Sequence, residues 1–326
     1  MNLSRYIRYI GSLPRVSRLW RAFGKAYGRS PRISELRTLI WLSQPRLRNR
    51  YHALRQVLGG FDHQWSSTPM TVRFSQDDIA YIKMDDFSLA VDKADASVST
   101  RLTEGKHEPH LHALVRNWLK PGMTAIDVGA NVGYYTMLAA RLVGNSGQVI
   151  CFEPNSENCR LILLSTLKNA FKNVTLYPMA ASDRMGTALF STYIGSNGGL
   201  TPTTDESSLL SPNCVVVPTA RMDDLVLDPV DLIKIDVEGA EGLVIRGAQK
   251  LIDRCRPIVA SEFSMMLPHV SGMPCKEFLS FFETRGYDIL LIDQNSSTLT
   301  RIEDIDSFIA NYGTPGRIDN LAFVPH

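Results

Sequence analysis

Five groups of polar residues stand where apolar runs of this sequence stop: Asp127–Gly133, Glu153, Ser182–Asp183, Asp236–Glu241 and Glu262. The first lies in AIDVGANVGYYT, a short apolar run that passes through a glycine turn into a helix-like stretch. A dinucleotide turn needs G-x-G-x-x-G so that a pyrophosphate can rest against a helix N-terminus. Here the turn reads Gly129-Ala130-Asn131-Val132-Gly133, with Ala130 where the second glycine would stand. Asp127 just before it would repel a pyrophosphate and attract a cation, such as the α-ammonium group of an amino acid. Glu153 follows Gly129 by 24 residues, the place where an acid accepts hydrogen bonds from both ribose hydroxyls. Ser182 and Asp183 are set to meet an adenine edge, with a plain polar turn as the competing reading. For Gly129 and Gly133 the competing reading is a tight strand-to-helix turn with no ligand, and for Glu153 a surface ion pair. Taken together, the groups describe a nucleoside joined to a cationic amino acid without phosphates. S-adenosylmethionine fits that description.

The remaining carboxylates suggest what is done with such a ligand. Asp236, Glu238 and Glu241 crowd one strand end, and Glu262 closes the neighbouring strand. Methyl transfer from a sulfonium is an in-line displacement governed by positioning, and a hydroxyl acceptor needs a base to take its proton. Crowded carboxylates raise one another's pKa towards a useful base, or bind a divalent cation that acidifies the hydroxyl. For Glu238 and Glu241 the alternative is simple stabilisation of the following helix N-terminus. Amino-directed methyltransferases often carry an Asn-Pro-Pro-aromatic loop at this place; IDVEGAE stands here instead, which favours oxygen as the acceptor atom. His107, His110 and His112 read as a solvated helix start rather than a metal site.

The elements that must position these groups alternate after about Lys106. Strands are expected at Thr124–Gly129, Gln148–Glu153, Val174–Ser182, from Asp231, from Pro257, at DILLID from Asp288 and at NLAFVP from Asn320. Helices are expected at about Glu108–Leu119, at Gly133–Val143 with Gly144 as the stop, after an Asn155 cap, from the IDVEGAE block through Leu251, and around Phe278, Phe281 and Phe282. This alternation predicts an α/β fold: a doubly wound, seven-stranded, mostly parallel sheet with ligands beyond the carboxyl ends of its strands. The polar stretch from Thr192 to Asn213 is expected to be a loop acting as an acceptor-side lid.

At 326 residues and 44% hydrophobic composition, the chain has the makings of a large core. Its net charge of +2 conceals an asymmetry: residues 1–60 hold 13 Lys and Arg against the single acid Glu35, leaving 22 basic and 32 acidic residues for the rest. Three segments are therefore expected: a basic helical arm (1–60), a small β-rich extension (61–105) built from TVRF, IAYIKM and FSLAVD, and the main domain (106–326). The arm, with Trp20 and Trp41 among its arginines, suits packing on the acidic body or a second subunit, peripheral contact with a membrane, or a transit peptide; nucleic acid is the least favoured partner. Five scattered cysteines without a CxxC pair point to a reducing, cytoplasmic setting.

The blocks GMTAIDVGANVGYYT, CFEPNSEN, AASDR, VVPTARMDDL and DLIKIDVEGAEGLVIRGA, in this order, resemble the FkbM family of S-adenosylmethionine-dependent methyltransferases. Glu108-Pro109 fits the same pattern, and Met222 stands where the family more often has Leu. The resemblance covers roughly Lys106 to Phe263. It implies a Rossmann-like methyltransferase fold and, most often, O-methylation of a sugar or natural-product hydroxyl. It implies that Asp127, Gly129, Asn131, Gly133 and Glu153 bind cofactor and that Asp236–Glu241 lie at the reaction centre. The expected activity is methylation of a glycan, glycolipid or secondary-metabolite hydroxyl; the rivals are a methyltransferase for RNA or protein gripped by the basic arm, and a non-catalytic cofactor-binding scaffold.

Overall fold

The chain divides into two compact units, Met1–Pro69 and Met70–His326. The computed structural model describes residues 78–84, 86–93, 95, 98, 102, 108–194, 197–201, 209–211, 213–313 and 317–326, all in the second unit. The expected basic arm, the TVRF run and His107 lie outside the described residues, as does part of the expected lid.

In chain order, the second unit opens with an antiparallel hairpin of β1 (Ile79–Lys83) and β2 (Ser88–Asp92). Helix α1 (Pro109–Trp118), with Pro109 in its first turn, leads to β3 (Thr124–Val128) and α2 (Tyr134–Val143). Strand β4 (Gln148–Phe152), α3 (Ser156–Lys168) and β5 (Val174–Tyr177) complete the first half. A second sheet follows, made of β6 (Ala180–Ala181), β7 (Gly186–Ile194), β8 (Asn197–Thr201) and β9 (Cys214–Ala220). The chain then returns through α4 (Met222–Leu225), β10 (Leu232–Ile235), α5 (Glu241–Arg246), α6 (Gln249–Cys255) and β11 (Ile258–Ser264). It ends with α7 (Leu267–Ser271), α8 (Cys275–Glu283), β12 (Tyr287–Ile292), β13 (Leu299–Arg301), α9 (Ile305–Ala310) and β14 (Ile318–Pro325).

The main sheet has the order β13-β12-β14-β11-β10-β3-β4-β5. Strands β11, β10, β3, β4 and β5 are parallel, and β14 runs antiparallel between β11 and β12. All seven expected strands contribute to it, and β13 adds an eighth by hairpin pairing with β12. No run of apolar residues announces β13, because its three residues are exposed at the sheet edge. The order reverses beside β3: from there the chain winds outward to β5, then returns to β10 on the other side. The crevice that ligands occupy in such sheets opens at this switch point.

Two apolar clusters coat the sheet, one around Ile126, Phe152, Val244 and Phe323, the other around Val91, Leu138, Val149 and Ile162. Strand β10 is buried along its whole length, and α2 is buried on almost every side, as a helix wedged between sheet and outer elements must be. The expected stops hold locally. Asn155 caps α3 by accepting from Glu157 N at 2.9 Å, and Gly144 ends α2 with φ 65°. The β1–β2 hairpin packs on α3, where Ala90 N donates to Ser165 Oγ at 2.8 Å and Ser88 N to Asn169 Oδ1 at 2.7 Å.

Three expectations change. The expected third strand splits at Tyr177: β5 stays in the main sheet, and β6 pairs with β9 in the second one. The single helix expected through Leu251 breaks into α5 and α6 at Gly247, where a Cβ would stand 1.9 Å from the Ser182 carbonyl oxygen; only glycine lets the chain pass so close to the Ser182 backbone. The expected lid loop begins as a β-hairpin, since Gly186–Ile194 and Asn197–Thr201 pair antiparallel with Phe190 opposite Leu200. Its glycines concealed that pairing: a Cβ at Gly198 would lie 2.6 Å from the Phe190 ring, so the glycine is there to seat an aromatic.

Candidate active site

A cleft opens beyond the carboxyl ends of β3, β4, β10 and β11, roofed on one side by the second sheet. It is lined by the Gly129–Val132 loop, Tyr134 and Tyr135, Glu153, Ala180 and Ala181, Phe190, Gly198–Leu200, and a charged floor of Glu108, Lys234, Asp236, Glu238 and Glu262.

The glycine loop is shaped first by the protein itself. Gly129 has φ 77°, and a Cβ there would stand 1.9 Å from the Asp236 carbonyl oxygen; Gly133 has φ 91°, with Ile162 Cγ1 2.8 Å from the same imaginary atom. Asn131 is also left-handed, at φ 51°, a conformation Asn tolerates better than most residues. Its Oδ1 accepts from Val132 N at 2.8 Å, and its own backbone N–H donates to Glu153 Oε2 at 2.7 Å. Glu153 Oε1 accepts from Asn155 N at 2.8 Å. Glu153 is thus pinned by one backbone amide on each oxygen. Burial pushes its carboxyl up to about 7, against the pull of these amides and of a hydrogen bond with the Asn158 side chain. A carboxylate offers about four lone-pair sites; with three taken by Asn131, Asn155 and Asn158, the pinned group retains acceptor capacity for about one hydroxyl at the cleft wall.

Asp127 is placed differently from expectation. It is 3% exposed and does not line the cleft. Thr136 Oγ1 donates to its Oδ2 at 2.6 Å, and its Oδ1 makes no hydrogen bond but faces Lys234 Nζ at 3.9 Å. Burial raises its pKa, with Lys234 and Thr136 opposing. Asp127 sits one layer below the cleft lining and faces an ammonium that the chain supplies, that of Lys234. Ser182 and Asp183 are likewise outside the cleft. Ser182 N donates to the Ala220 carbonyl at 2.8 Å, and Ser182 Oγ faces its neighbour Asp183. The turn of the chain into β6 withdraws them and presents Ala180 and Ala181 instead.

Of the four expected reaction-centre carboxylates, three meet in the cleft. Glu241 does not. It is 2% exposed, and its Oε1 accepts from Val237 N at 3.1 Å and Gly239 N at 3.2 Å, bracing the β10–α5 turn. Burial raises its carboxyl to about 7. Helix-start stabilisation is therefore what Glu241 does, while Glu238, left-handed at φ 55°, is exposed at the rim.

The profile of the methyltransferase FkbM domain matches residues 127–289, half of the chain. The chain belongs to the FkbM methyltransferase family. Two curated plant proteins share shorter stretches. Protein-L-isoaspartate O-methyltransferase of Triticum aestivum is 40% identical over 62 residues, 18% of this chain and 26% of its own. Protein-L-isoaspartate O-methyltransferase 1 of Arabidopsis thaliana is 35% identical over 86 residues, 24% of this chain and 36% of its own. The chain thus spans only about a quarter to a third of the length of these curated relatives. Among solved structures, methyltransferase FkbM from Methylobacillus flagellatus KT aligns at 15% identity over 65% of this chain and 50% of its own, with a TM-score of 0.38. An rRNA methylase from Streptococcus thermophilus aligns at 12% identity over 67% and 98%, with a TM-score of 0.40.

The FkbM-family cleft also holds a charged residue from inside an apolar strand. Lys234 interrupts the buried strand LIKI, and a charge inside a fully buried strand requires partners. It has them: its Nζ is 2.9 Å from Asp236 Oδ2, 3.9 Å from Asp127 Oδ1 and 5.1 Å from the Tyr135 ring centre. Burial disfavours its charge, but Asp236, Asp127 and Glu108 outweigh burial and raise its pKa. Glu108, in left-handed backbone at the start of α1, brings a further carboxyl to this FkbM-family floor, raised by burial and by Asp236. Glu262 is raised by burial first, then by the surrounding carboxylates, Asp236 foremost. His110 is turned away, buried against Asn320, and His112 Nδ1 meets the Tyr134 hydroxyl at 2.6 Å. Among the described residues, no three His, Cys, Asp or Glu side chains are grouped so as to hold a metal ion, and no helix is long and apolar enough to cross a membrane.

Proposed function

We propose that this protein is an S-adenosylmethionine-dependent O-methyltransferase acting on a hydroxyl of a glycan, glycolipid or secondary metabolite. The observation that carries the reading is the meeting of two sets of groups in one cleft: the pinned acceptor Glu153 beside the Gly129–Gly133 loop, and the carboxyls Glu108, Asp236, Glu238 and Glu262 around Lys234. The cofactor fits the residues present, because Glu153 keeps an acceptor site at the cleft wall and Ala180 and Ala181 offer an apolar wall to a base. Glu153 would hold a ribose hydroxyl, and the loop backbone from Gly129 to Asn131 would face the amino-acid end. When bound, the cofactor supplies an electrophilic methyl group.

Asp236 is the residue placed to receive the acceptor proton. Its side chain is 31% exposed, reaches the cleft, and is oriented by Lys234. Fixing the carboxylate before reaction removes a reorganisation cost at the transition state. The same floor argues against a carboxylate acceptor of the isoaspartyl type, since the four carboxyls surround a single lysine that is already engaged. A hydroxyl brings no charge to that environment. The Phe190, Gly198 and Leu200 side of the second sheet supplies an acceptor wall, and Arg- and Trp-bearing residues 1–60 suit an acceptor held near a membrane.

The test is transfer of labelled methyl from S-adenosylmethionine to extracts of the source organism, with mass spectrometry of the product. A labelled glycan or glycolipid hydroxyl supports the reading, and label on carboxylate, protein or RNA replaces it. Asp236→Asn should retain cofactor affinity and lose transfer at least 100-fold, the scale typical of general-base removal; full activity in that variant removes Asp236 from the role.

A further inference from the structure

The floor of the cleft holds two carboxyls that the fold sets side by side but treats differently. Strands β10 and β11 pair in parallel up to Ile235 opposite Ser261; Asp236, just past the end of β10, and Glu262, the next residue of β11, each follow that last pair and both line the cleft. Lysine reaches only one of them: Lys234 Nζ lies 2.9 Å from Asp236 Oδ2, and no salt bridge or hydrogen bond is formed by the Glu262 carboxyl among the described residues. Two adjacent carboxylates in a half-buried cleft do not both ionise readily.

We infer that Asp236 and Glu262 act as a pair carrying one proton, with Lys234 as a positioning residue that fixes the anion on Asp236 and leaves the proton on Glu262. The pair then presents one hydrogen-bond acceptor and one donor side by side. A substrate with two adjacent hydroxyls matches that pattern: one donates to Asp236 and loses its proton there, while the oxygen of the next accepts from Glu262. The acceptor class that follows is a neutral vicinal diol, as on a sugar ring. The inference rests on the methyltransferase reading for this last step alone; the shared proton is a property of the chain by itself.

The groups facing the pair agree with the assignment. Glu108 from the start of α1, Glu238 from the β10–α5 turn, Glu241 at the start of α5, and Asp236 itself all raise the Glu262 carboxyl, after burial. Asp127 of β3 and Tyr135 of α2 lie on the far side of Lys234. On β14 the residue opposite Glu262 is the neutral Asn320, and the neighbouring Asp319 is paired with Arg317 at 2.7 Å. No cation other than Lys234 reaches the pair among the described residues.

The experiment is a carboxyl titration of the full chain by carbon NMR, with glutamate and aspartate labelled at the side-chain carboxyl and no ligand added. Apart from Glu153, pushed up to about 7, one cleft carboxyl should titrate above about pH 6, well beyond the ordinary range. Its signal should vanish in Glu262→Gln and move down toward the ordinary range in Asp236→Asn. In Lys234→Met a second carboxyl should join the raised range and disappear again when Asp236→Asn is added, a signature that a merely structural lysine would not produce. If no raised signal depends on Glu262, or if it survives Glu262→Gln unchanged, the shared proton is wrong; the two cleft-facing variants decide this even if Lys234→Met does not fold. Calorimetry of wild-type protein with S-adenosylhomocysteine tests the methyltransferase reading separately. A chain with the shared proton but no affinity for that ligand keeps the pair and loses the vicinal-diol assignment.

Discussion

Replacing Gly129 with alanine separates the two reasons a glycine could stand at that turn. If the glycine served only to admit a ligand, the apo protein would tolerate a methyl group. The structure says otherwise, because the new Cβ would stand 1.9 Å from the Asp236 carbonyl oxygen, 2.9 Å from its carbon and 3.1 Å from Val237 Cγ1. Two of these are backbone atoms held in place by the β3–β10 ladder, where Asp236 N donates to the Val128 carbonyl at 3.0 Å. Relief requires the end of β10 to move by more than 1 Å, roughly the shortfall from ordinary contact distance, and to give up that hydrogen bond, worth about 1 kcal/mol. Overpacking adds about 1–3 kcal/mol, and alanine at φ 77° adds roughly 1–2 kcal/mol more. Together these place the loss at about 3–6 kcal/mol, or a fall in melting temperature of about 8–20 °C for a unit of this size. The control is Gly144→Ala, at φ 65° with nothing within 4 Å of the new atom; it carries the conformational cost alone, a drop of a few degrees. Thermal melts of both variants by circular dichroism decide the matter. If Gly129→Ala melts within about 3 °C of Gly144→Ala, the close approach of β10 is not what requires the glycine.

Three further substitutions probe the charges. Glu241→Gln keeps both backbone hydrogen bonds, since one oxygen accepts them both, and removes a buried charge. The carboxyl of Glu241 titrates in the folded chain at about 7, above the ordinary value of 4.5. Its stabilising contribution is therefore complete below about pH 4.5 and lost as pH rises through 7, and at pH 8 the variant should be more stable to urea by on the order of 2–3 kcal/mol. No gain at pH 8 would show that the charge is not penalised. Lys234→Met leaves Asp127 and Asp236 without their cation and should cost about 3–5 kcal/mol at pH 8, with the deficit shrinking at acidic pH as the carboxylates take up protons; a pH-independent deficit in urea melts would mean lost packing rather than lost charge. Glu153→Ala removes the pinned acceptor, so S-adenosylhomocysteine affinity measured by calorimetry should fall on the order of 100-fold, the equivalent of about 3 kcal/mol in hydrogen bonds to a charged group. Unchanged affinity would dismiss Glu153 as the ribose clamp.

Much of this molecule was written in local chemistry. Alternating apolar runs and helix stops placed the seven strands, because a buried parallel strand must be apolar along its length and a helix must stop where glycine or a cap allows. The order of the strand-end groups located the cleft, since an open α/β sheet puts its ligand at one end of its strands. Among those groups, the positions of Glu153, Asp236, Glu238 and Glu262 in the cleft were legible for that reason alone. What sequence could not decide was which polar residues turn inward to the chain and which face the ligand. Asp127, Ser182, Asp183 and Glu241 sit within two or three positions of residues that line the cleft, yet all four stand outside that lining. Only the parallel pairing of β10 with β3, in register at Lys234 and Asp127, brings that lysine to Asp127 and so turns a strand-end acid into a structural counter-ion. The second sheet was hidden for a similar reason: its glycines look like loop residues until Phe190 is seen packed over Gly198. Sequence determines where a carboxylate enters the structure; for Asp127 the partner that faces its charge, Lys234, comes from a strand far along the chain, and only the tertiary fold can supply it.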